Sequence, residues 1–361
     1  MDTTELKTRR KRLLDELAGR NLDALVVSGL PNVRYLGGFT GSNGVLLISA
    51  GAPVLVTDPR YQLQAAQQSD CKVHIARRGG LSKAVAAFIG RRRLKKVGFE
   101  SSRTLYSAYE ELSEAVPRGV ELVPISGVVE RIRAVKSASE IALIRNSVNT
   151  CSRAFTRALR RVRPGITERD LAAEIDHQMR RLGAEKPAFE TIVASGARTA
   201  LPHAEPGCKP LGGNELLLID MGAQCQGYAS DMTRMAYLGR PPRKLRRCYQ
   251  AVLEAQEAAL ERVKAGAAVS AVDRAARRRL RDHGLADFFV HSTGHGVGLE
   301  VHEFPRIGKA DQTRLEAGMV ITVEPGVYME GFGGIRIEDT VLVRDNGCEI
   351  LTPTPKELVV V

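Results

Sequence analysis

The chain has 361 residues, 43% of them hydrophobic and 26% charged, which is enough for two domains and ordinary for a soluble globular protein. No window approaches the eighteen or so apolar residues needed to span a bilayer, and the N-terminal "MDTTELKTRRKRLLDELAGR" lacks the apolar core of a signal peptide. The formal net charge of +12 raises nucleic acid as a partner. The basic runs "TRRKR", "RRRLKK", "RALRRVR", "RKLRR" and "RAARRRLR" are scattered, however, with no zinc finger or RNP pattern beside them, so they read as solvated helix faces and nucleic acid is not expected.

The first predicted element is an amphipathic helix with Leu6, Leu13, Leu14 and Leu17 on one side. Short β candidates follow at "ALVVSG", "GVLLIS", "PVLVTD", "CKVHIA", "KVGFE" and "ELVPI". Between them "RYQLQAAQQ", "LSKAVAAFIGRR" and "SAYEELSEAV" have helical patterns, which predicts an α/β layer domain over residues 1–133. The texture changes near residue 135. Ser137 and Glu140 stand at capping-box spacing and open a long helix expected to run to Pro164-Gly165, in a second domain of residues 134–361.

The second domain carries an internal repeat. "RVRPGITERDLAAEIDHQMRRLG" parallels "RVKAGAAVSAVDRAARRRLRDHG" at an offset of 101 residues. Each copy offers a hydroxyl followed three residues later by Asp, Thr167/Asp170 and Ser270/Asp273, as a helix start. His203-x-x-Pro206 then answers His302-x-x-Pro305, and "ELLLIDMGA" answers "MVITVEPGV", each an apolar strand ending in a carboxylate, Asp220 and Glu324. Four parallels in the same order indicate two similar halves with polar residues meeting at their seam.

"LLLIDMGAQCQGYASDMTR" reads as a β-hairpin, and a two-residue loop at Cys225-Gln226 would set Asp220 opposite Asp231, with Cβ atoms about 4.5–5.5 Å apart. In "VITVEPGVYMEGFGGIRIEDT" a turn centred on Gly331 sets Glu324 opposite Glu338. Facing carboxylates are destabilising unless something positive lies between them. Pairing with Arg234 and Arg336 would explain any single acid; two such hairpins in two repeated halves, together with imidazole, point to a hard, oxygen-rich metal site. That site suits Mn²⁺, with Co²⁺, Zn²⁺ or Fe²⁺ as other candidates, and acids able to bridge imply two ions. The six scattered cysteines include no C-x-x-C pair, which argues against a disulfide framework or thiolate zinc and fits the cytoplasm.

The ordered set "DMGA…SDMTR", "GHGVGLEVHE", "TVEPG" and "IRIED" resembles the pita-bread dinuclear metallopeptidases, the methionine aminopeptidase, prolidase and aminopeptidase P family. "NVRYLGGFTGSNGVLLIS" and "VTDPRYQLQA" resemble the creatinase/prolidase-like N-terminal domain of Xaa-Pro aminopeptidases and prolidases. The resemblance implies an α/β (α+β) protein with a pseudo-twofold catalytic domain, in which Asp220, Asp231, His295, Glu324 and Glu338 are the metal ligands, Asp231 and Glu338 bridging. It places His203 and His302 on substrate and tetrahedral intermediate, His291 at the proline pocket, and Arg336 on Glu338 or substrate. Glu324 becomes the proton shuttle for a metal-bridging hydroxide that cleaves the bond between an N-terminal residue and a following proline. It also implies a homodimer. "GFTGSNG" and the compact length lean towards an Xaa-Pro aminopeptidase, with Xaa-Pro dipeptidase as the alternative. A catalytically inactive pita-bread binding protein is the competing class, but such relatives lose ligands and here every ligand position is filled.

Overall fold

The computed structural model describes residues 3–77 and 80–361; Met1 and Asp2 of the predicted N-terminal helix, and Arg78-Gly79, lie outside the described residues. The chain divides into two compact units, Met1–Arg133 and Ala134–Val361.

In the first unit the predicted strands are β1 (Ala24–Val27), β2 (Gly44–Ser49), β3 (Val54–Thr57), β4 (Lys72–Ile75), β5 (Lys96–Glu100) and β6 (Glu121–Ile125). They form one sheet in the order β4-β3-β2-β1-β5-β6. The helices are α1 (Thr3–Ala18), α2 (Leu30–Gly37), α3 (Gln62–Gln68), α4 (Gly80–Arg91), α5 (Tyr106–Ala115) and α6 (Val128–Ala134). One face of the sheet packs Val26, Leu47, Val54, Val56 and Val97 against Val85 and Ile89 of α4 and Leu112 of α5. Helix α1 buries Leu6, Leu13 and Leu17, while Leu14 is half-buried; Arg9 and Arg10 take the remaining places on its buried face. Arg10 forms a two-pronged pair with Asp70, at 2.7 and 2.6 Å. Helices α2 and α6 are additions to the predicted set. At eight and seven residues they are too short to show a helical period, although Pro31 at the start of α2 and Gly38 (φ +76°) just past its end are the expected punctuation.

In the second unit the helices are α7 (Ala138–Leu159), α8 (Glu168–Arg181), α9 (Arg243–Leu260) and α10 (Val269–Asp282). The predicted cap of α7 is present, with Ser137 and Glu140 bonding each other's backbone N–H groups. The helix stops at Leu159, short of Pro164-Gly165. The next three N–H groups close instead on carbonyls three residues back, and the residue before a proline disfavours helical backbone. Thr167 and Asp170 likewise cap α8 reciprocally. The matching Ser270/Asp273 cap does not form. The offset that aligns the two repeats puts Ala268, not Ser270, at the cap of α10, so Ser270 lies inside the helix and Asp273 turns to Arg277 and Thr293.

The strands of this unit are β7 (Lys186–Pro187), β8 (Ile192–Ser195), β9 (Glu215–Met221), β10 (Ala223–Cys225), β11 (Tyr228–Ala229), β12 (Met232–Leu238), β13 (Gly294–Gly296), β14 (Glu303–Ile307), β15 (Val320–Val323), β16 (Gly326–Met329), β17 (Gly333–Arg336), β18 (Asp339–Arg344), β19 (Gly347–Ile350) and β20 (Val359–Val360). One sheet runs β20-β12-β9-β8 and another β14-β13-β15-β18-β19. The unbroken apolar run of β9 is explained by burial on both faces. Leu217, Ile219 and Met221 join the core against α7 and α8, while Leu216 and Leu218 join the core against α9 and α10. Asp220 shares the second face, at the end of that stripe, and so is buried by its strand rather than exposed.

Candidate metal centre

A cavity of about 570 Å³ in the second unit is lined by His203, Asp220, Asp231, His291, His295, His302, Glu324, Arg336 and Glu338. Every candidate metal ligand and catalytic residue from the sequence is therefore gathered in one place. Phe189, Ile192, Glu190, Glu205 and Arg306 complete much of its wall.

The two carboxylate hairpins differ in how they arrive there. Strands β15 and β18, and β16 and β17 beyond them, share one register (Val323 opposite Asp339, Gly326 opposite Arg336) centred on Gly331, so Glu324 and Glu338 face each other as the turn position requires. The first hairpin is shifted. Its turn is Gln226-Gly227, both with positive φ (48° and 77°), and the pairing places Asp220 opposite Thr233 rather than Asp231. Two consecutive left-handed residues are what a tight hairpin turn needs, and Gly227 supplies one at no steric cost. Asp231 is thus the diagonal neighbour of Asp220 on the same face.

That shift redirects the arginine. Of the two roles expected for Arg336, on Glu338 or on substrate, the first is not formed: its guanidinium pairs with Asp220 at 2.5 Å, and its Nε donates to Thr233 Oγ1 at 2.9 Å. Thr233, opposite Asp220, donates in turn to Glu338 Oε2 at 2.8 Å. Arg234, the other arginine considered for these acids, points away and pairs with Asp339 at 2.7 Å.

His295 is held by close backbone approach. A Cβ at Gly294 would lie 2.0 Å from the Thr322 carbonyl oxygen, and one at Gly296 would lie 2.3 Å from that of Phe304. Only glycine fits on either side. The ring Nδ1 donates to the Gly296 carbonyl at 3.0 Å, which turns Nε2 towards the acids, 3.3 Å from Glu324 Oε1 and 3.6 Å from Asp231 Oδ2, as the ring nitrogen a metal ion would take in exchange for its proton. Asp231, His295 and Glu338 present ligand atoms all within 4.8 Å of one another.

Electrostatically the cluster is unbalanced. Burial, then the neighbouring carboxylates, push Asp231 and Glu338 well above the usual carboxylate range, and burial also raises Asp220 against the pull of Arg336. For Glu324 burial is outweighed by its hydrogen bond to His295 and by nearby positive charge, which hold it down to about 2. Asp220 Oδ1 and Glu338 Oε1 are buried with no hydrogen-bond donor. Orphaned carboxylate oxygens beside an imidazole nitrogen are the donor set a divalent cation requires, so the residues fit a metal site.

The remaining histidines sit differently. Arg336 donates to Tyr328 Oη, which therefore donates to His291 Nε2 at 2.9 Å, while His291 Nδ1 donates to the Ser292 carbonyl. Burial lowers the pKa of His291, consistent with this neutral, doubly engaged ring. His302 packs edge-on to His295 with ring centroids 4.3 Å apart, and burial followed by the His295 charge lowers it too. His203 stands exposed in the loop after β8. Sequence reasoning missed Thr233 and Tyr328. Both lie at even spacing from a site acid, two residues after Asp231 and four after Glu324, which is the signal for one strand face. Two buried clamps were also missed. Glu168 accepts from the backbone N–H groups of Ser195 and Gly207, at the two ends of the His203 loop. Arg277 donates to the carbonyls of Phe289 and His291.

Residues 142–345 match metallopeptidase family M24, and residues 9–135 match the creatinase/prolidase N-terminal domain. The chain is 36% identical to the Xaa-Pro dipeptidase of Pyrococcus horikoshii, over 97% of this chain and 98% of that protein. Among solved structures it is similar to the Xaa-Pro dipeptidase from Bacillus anthracis (TM-score 0.95, 37% identity, 99% of this chain and 100% of that one). It is also similar to the X-Pro aminopeptidase from Thermotoga maritima MSB8 (TM-score 0.90, 37% identity, 98% and 100%).

Proposed function

The chain belongs to metallopeptidase family M24 and is a peptidase of that family, and from this premise we propose that it hydrolyses the peptide bond between an N-terminal residue and a following proline. The observation that carries the proposal is the group of four carboxylates and one imidazole gathered in a single cavity. Asp220, Asp231, His295, Glu324 and Glu338 would hold two divalent ions. When bound, such ions lower the pKa of water and polarise the scissile carbonyl.

The protein groups have separable tasks in this reading. Glu324 lines the cavity beside His295, where its carboxylate is placed to take a proton and return it to the leaving nitrogen. His302 is neutral by its environment and, with His203, donates an N–H to the carbonyl oxygen as negative charge develops there. Asp220 faces the substrate amine. Arg336 and Tyr328 hold Asp220 and His291 in place, and His291 borders the space for the proline ring, a residue whose missing N–H and fixed φ call for a dedicated site.

Named relatives at equal identity include both a dipeptidase and an aminopeptidase, so the pocket wall has to discriminate. Arg336 is committed to Asp220, Thr233, Tyr328 and the Pro202 carbonyl. Arg306 is exposed, lines the same cavity and has no acidic partner among the described residues. It offers the fork that a free dipeptide carboxylate would need, which supports Xaa-Pro dipeptides as substrates. The hard donor set supports Mn²⁺ as the native ion. The six free cysteines fit a cytoplasmic enzyme, and the family resemblance supports a homodimer. No helix among the described residues is long and apolar enough to cross a membrane.

The test compares Xaa-Pro with Xaa-Pro-Yaa turnover after Mn²⁺ loading, in the wild type and in Arg306→Gln. The expected result is preferential dipeptide cleavage, with the substitution raising KM for the dipeptide alone. Absence of both bound metal and activity would sink the enzyme reading; equal or better cleavage of the tripeptide would sink the dipeptide assignment.

A further inference from the structure

On the outer face of α7 lies a second groove, of about 670 Å³, that the proposed reaction does not use. Asn146, Asn149, Arg153, Thr156, Arg157 and Arg160 line it from that helix, and Pro353, Thr354 and Pro355 form the opposite wall. The helical positions recur at three- and four-residue spacing, so they share one face. No acid lines the groove, and none of the three arginines forms an ion pair among the described residues; Arg157 reaches only Gln178, at 3.5 Å. Like charges at this spacing repel, and the favourable field of the helix C-terminus falls off within the last turn, so it does not account for Arg153.

Two further observations mark this as a built surface. Ser152 Oγ and Thr354 Oγ1, one from each wall, are buried without a hydrogen-bond partner, and Ser152 is only 6% exposed. Buried hydroxyls are ordinarily satisfied. The opposite wall is also fixed in advance: Arg234, itself buried, donates to the carbonyls of Thr354 at 2.7 Å and Pro355 at 2.9 Å. The groove's shape is therefore held by the protein core.

We propose that this groove is a second binding site, for a compact anion carrying several phosphate groups. Arg153 to Arg160 span about 10 Å along the helix, a distance that suits two or three linked phosphates. Planar guanidinium forks match phosphate oxygens two at a time, and the Asn carboxamides and Thr156 hydroxyl add neutral donors. A di- or triphosphate, free or as part of a nucleotide, has the right length and charge. Nucleic acid is disfavoured, because the groove has no aromatic side chain on which a base could stack.

The experiment is a thermal-shift titration of the full-length protein with inorganic tripolyphosphate at low salt, beside the triple variant Arg153→Gln/Arg157→Gln/Arg160→Gln. Chelation of bound metal acts on both proteins alike, so the difference between them reads the groove. The expected result is a higher Tm for the wild type than for the variant in the presence of the probe, a gap that closes as salt is raised. Xaa-Pro hydrolysis by the variant stays within about twofold of wild type, since these arginines lie outside the catalytic cavity. ATP in place of tripolyphosphate tells a nucleotide preference from a plain phosphate one. Identical responses of the two proteins would overturn the proposal, as would tighter binding of single-stranded RNA than of tripolyphosphate.

Discussion

Glu168 tests whether the His203 loop is placed by a single buried carboxylate. It is 0% exposed and closes both ends of the segment 195–207, which contributes Pro202, His203, Ala204, Glu205 and Pro206 to the cavity. Its Oε1 accepts from the N–H of Ser195 at 2.8 Å and from Ser195 Oγ at 2.9 Å. Its Oε2 accepts from the N–H of Gly207 and from Arg198 Nε, each at 3.1 Å. In Glu168→Gln one oxygen becomes an NH₂ that must face a backbone N–H, whichever way the amide is turned. The loss is one hydrogen bond to a charged acceptor, roughly 1.5–3 kcal/mol, plus a buried donor left unsatisfied, roughly 1–3 kcal/mol. Arg198 is partly exposed and can rehydrate, so its ion pair adds little. The total of roughly 2.5–6 kcal/mol corresponds to a Tm lower by at least about 5 °C for a unit of this size. Thermal unfolding gives the first measurement. Steady-state kinetics well below the variant's Tm gives the second, where kcat/KM for an Xaa-Pro substrate should fall by about tenfold or more while bound metal is unchanged. A Tm within about 2 °C of wild type, or unaltered kcat/KM in the folded variant, would refute the argument that this carboxylate sets the loop.

Asp231→Asn should leave the circular dichroism spectrum intact while bound metal and activity are lost; retained activity would rule out Asp231 as a ligand shared between ions. Gly294→Ala drives a Cβ to 2.0 Å from the Thr322 carbonyl oxygen, so β13 must shift and carry His295 with it. Metal content after dialysis should drop at least about tenfold, and wild-type metal retention would show that the close approach is dispensable. In the first unit the hydrogen bond from Arg10 holds Asp70 below the usual carboxylate range. A depressed acid contributes stability that is complete above its unfolded value, near 3.8, and is lost as pH falls through the folded value. Wild type should therefore lose more stability than Asp70→Asn between pH 5 and pH 2.5 in chemical denaturation; parallel pH profiles would remove the pair from the acid response.

The sequence by itself determined what chemistry the chain can carry and most of its regular elements. Alternation and apolar runs located all six strands of the first unit, because a strand's burial is written in its own period. The Ser137/Glu140 and Thr167/Asp170 caps were legible because a cap joins residues three apart. The turn at Gly331 set the partnership of Glu324 with Glu338, since hairpin register follows from the turn alone. The tertiary structure decided the rest. Gln226-Gly227, one place beyond the expected loop, shifted the other hairpin by two positions and put Thr233 opposite Asp220. That handed Asp220 to Arg336 and left Glu338 to Thr233, a pairing no local pattern encodes because strands from the two halves of the repeat meet there. Glu168 was invisible for the same reason. Hydrogen-bond partners separated by tens of residues leave no periodicity along the chain, and only the packed molecule brings them within about 3 Å of one another.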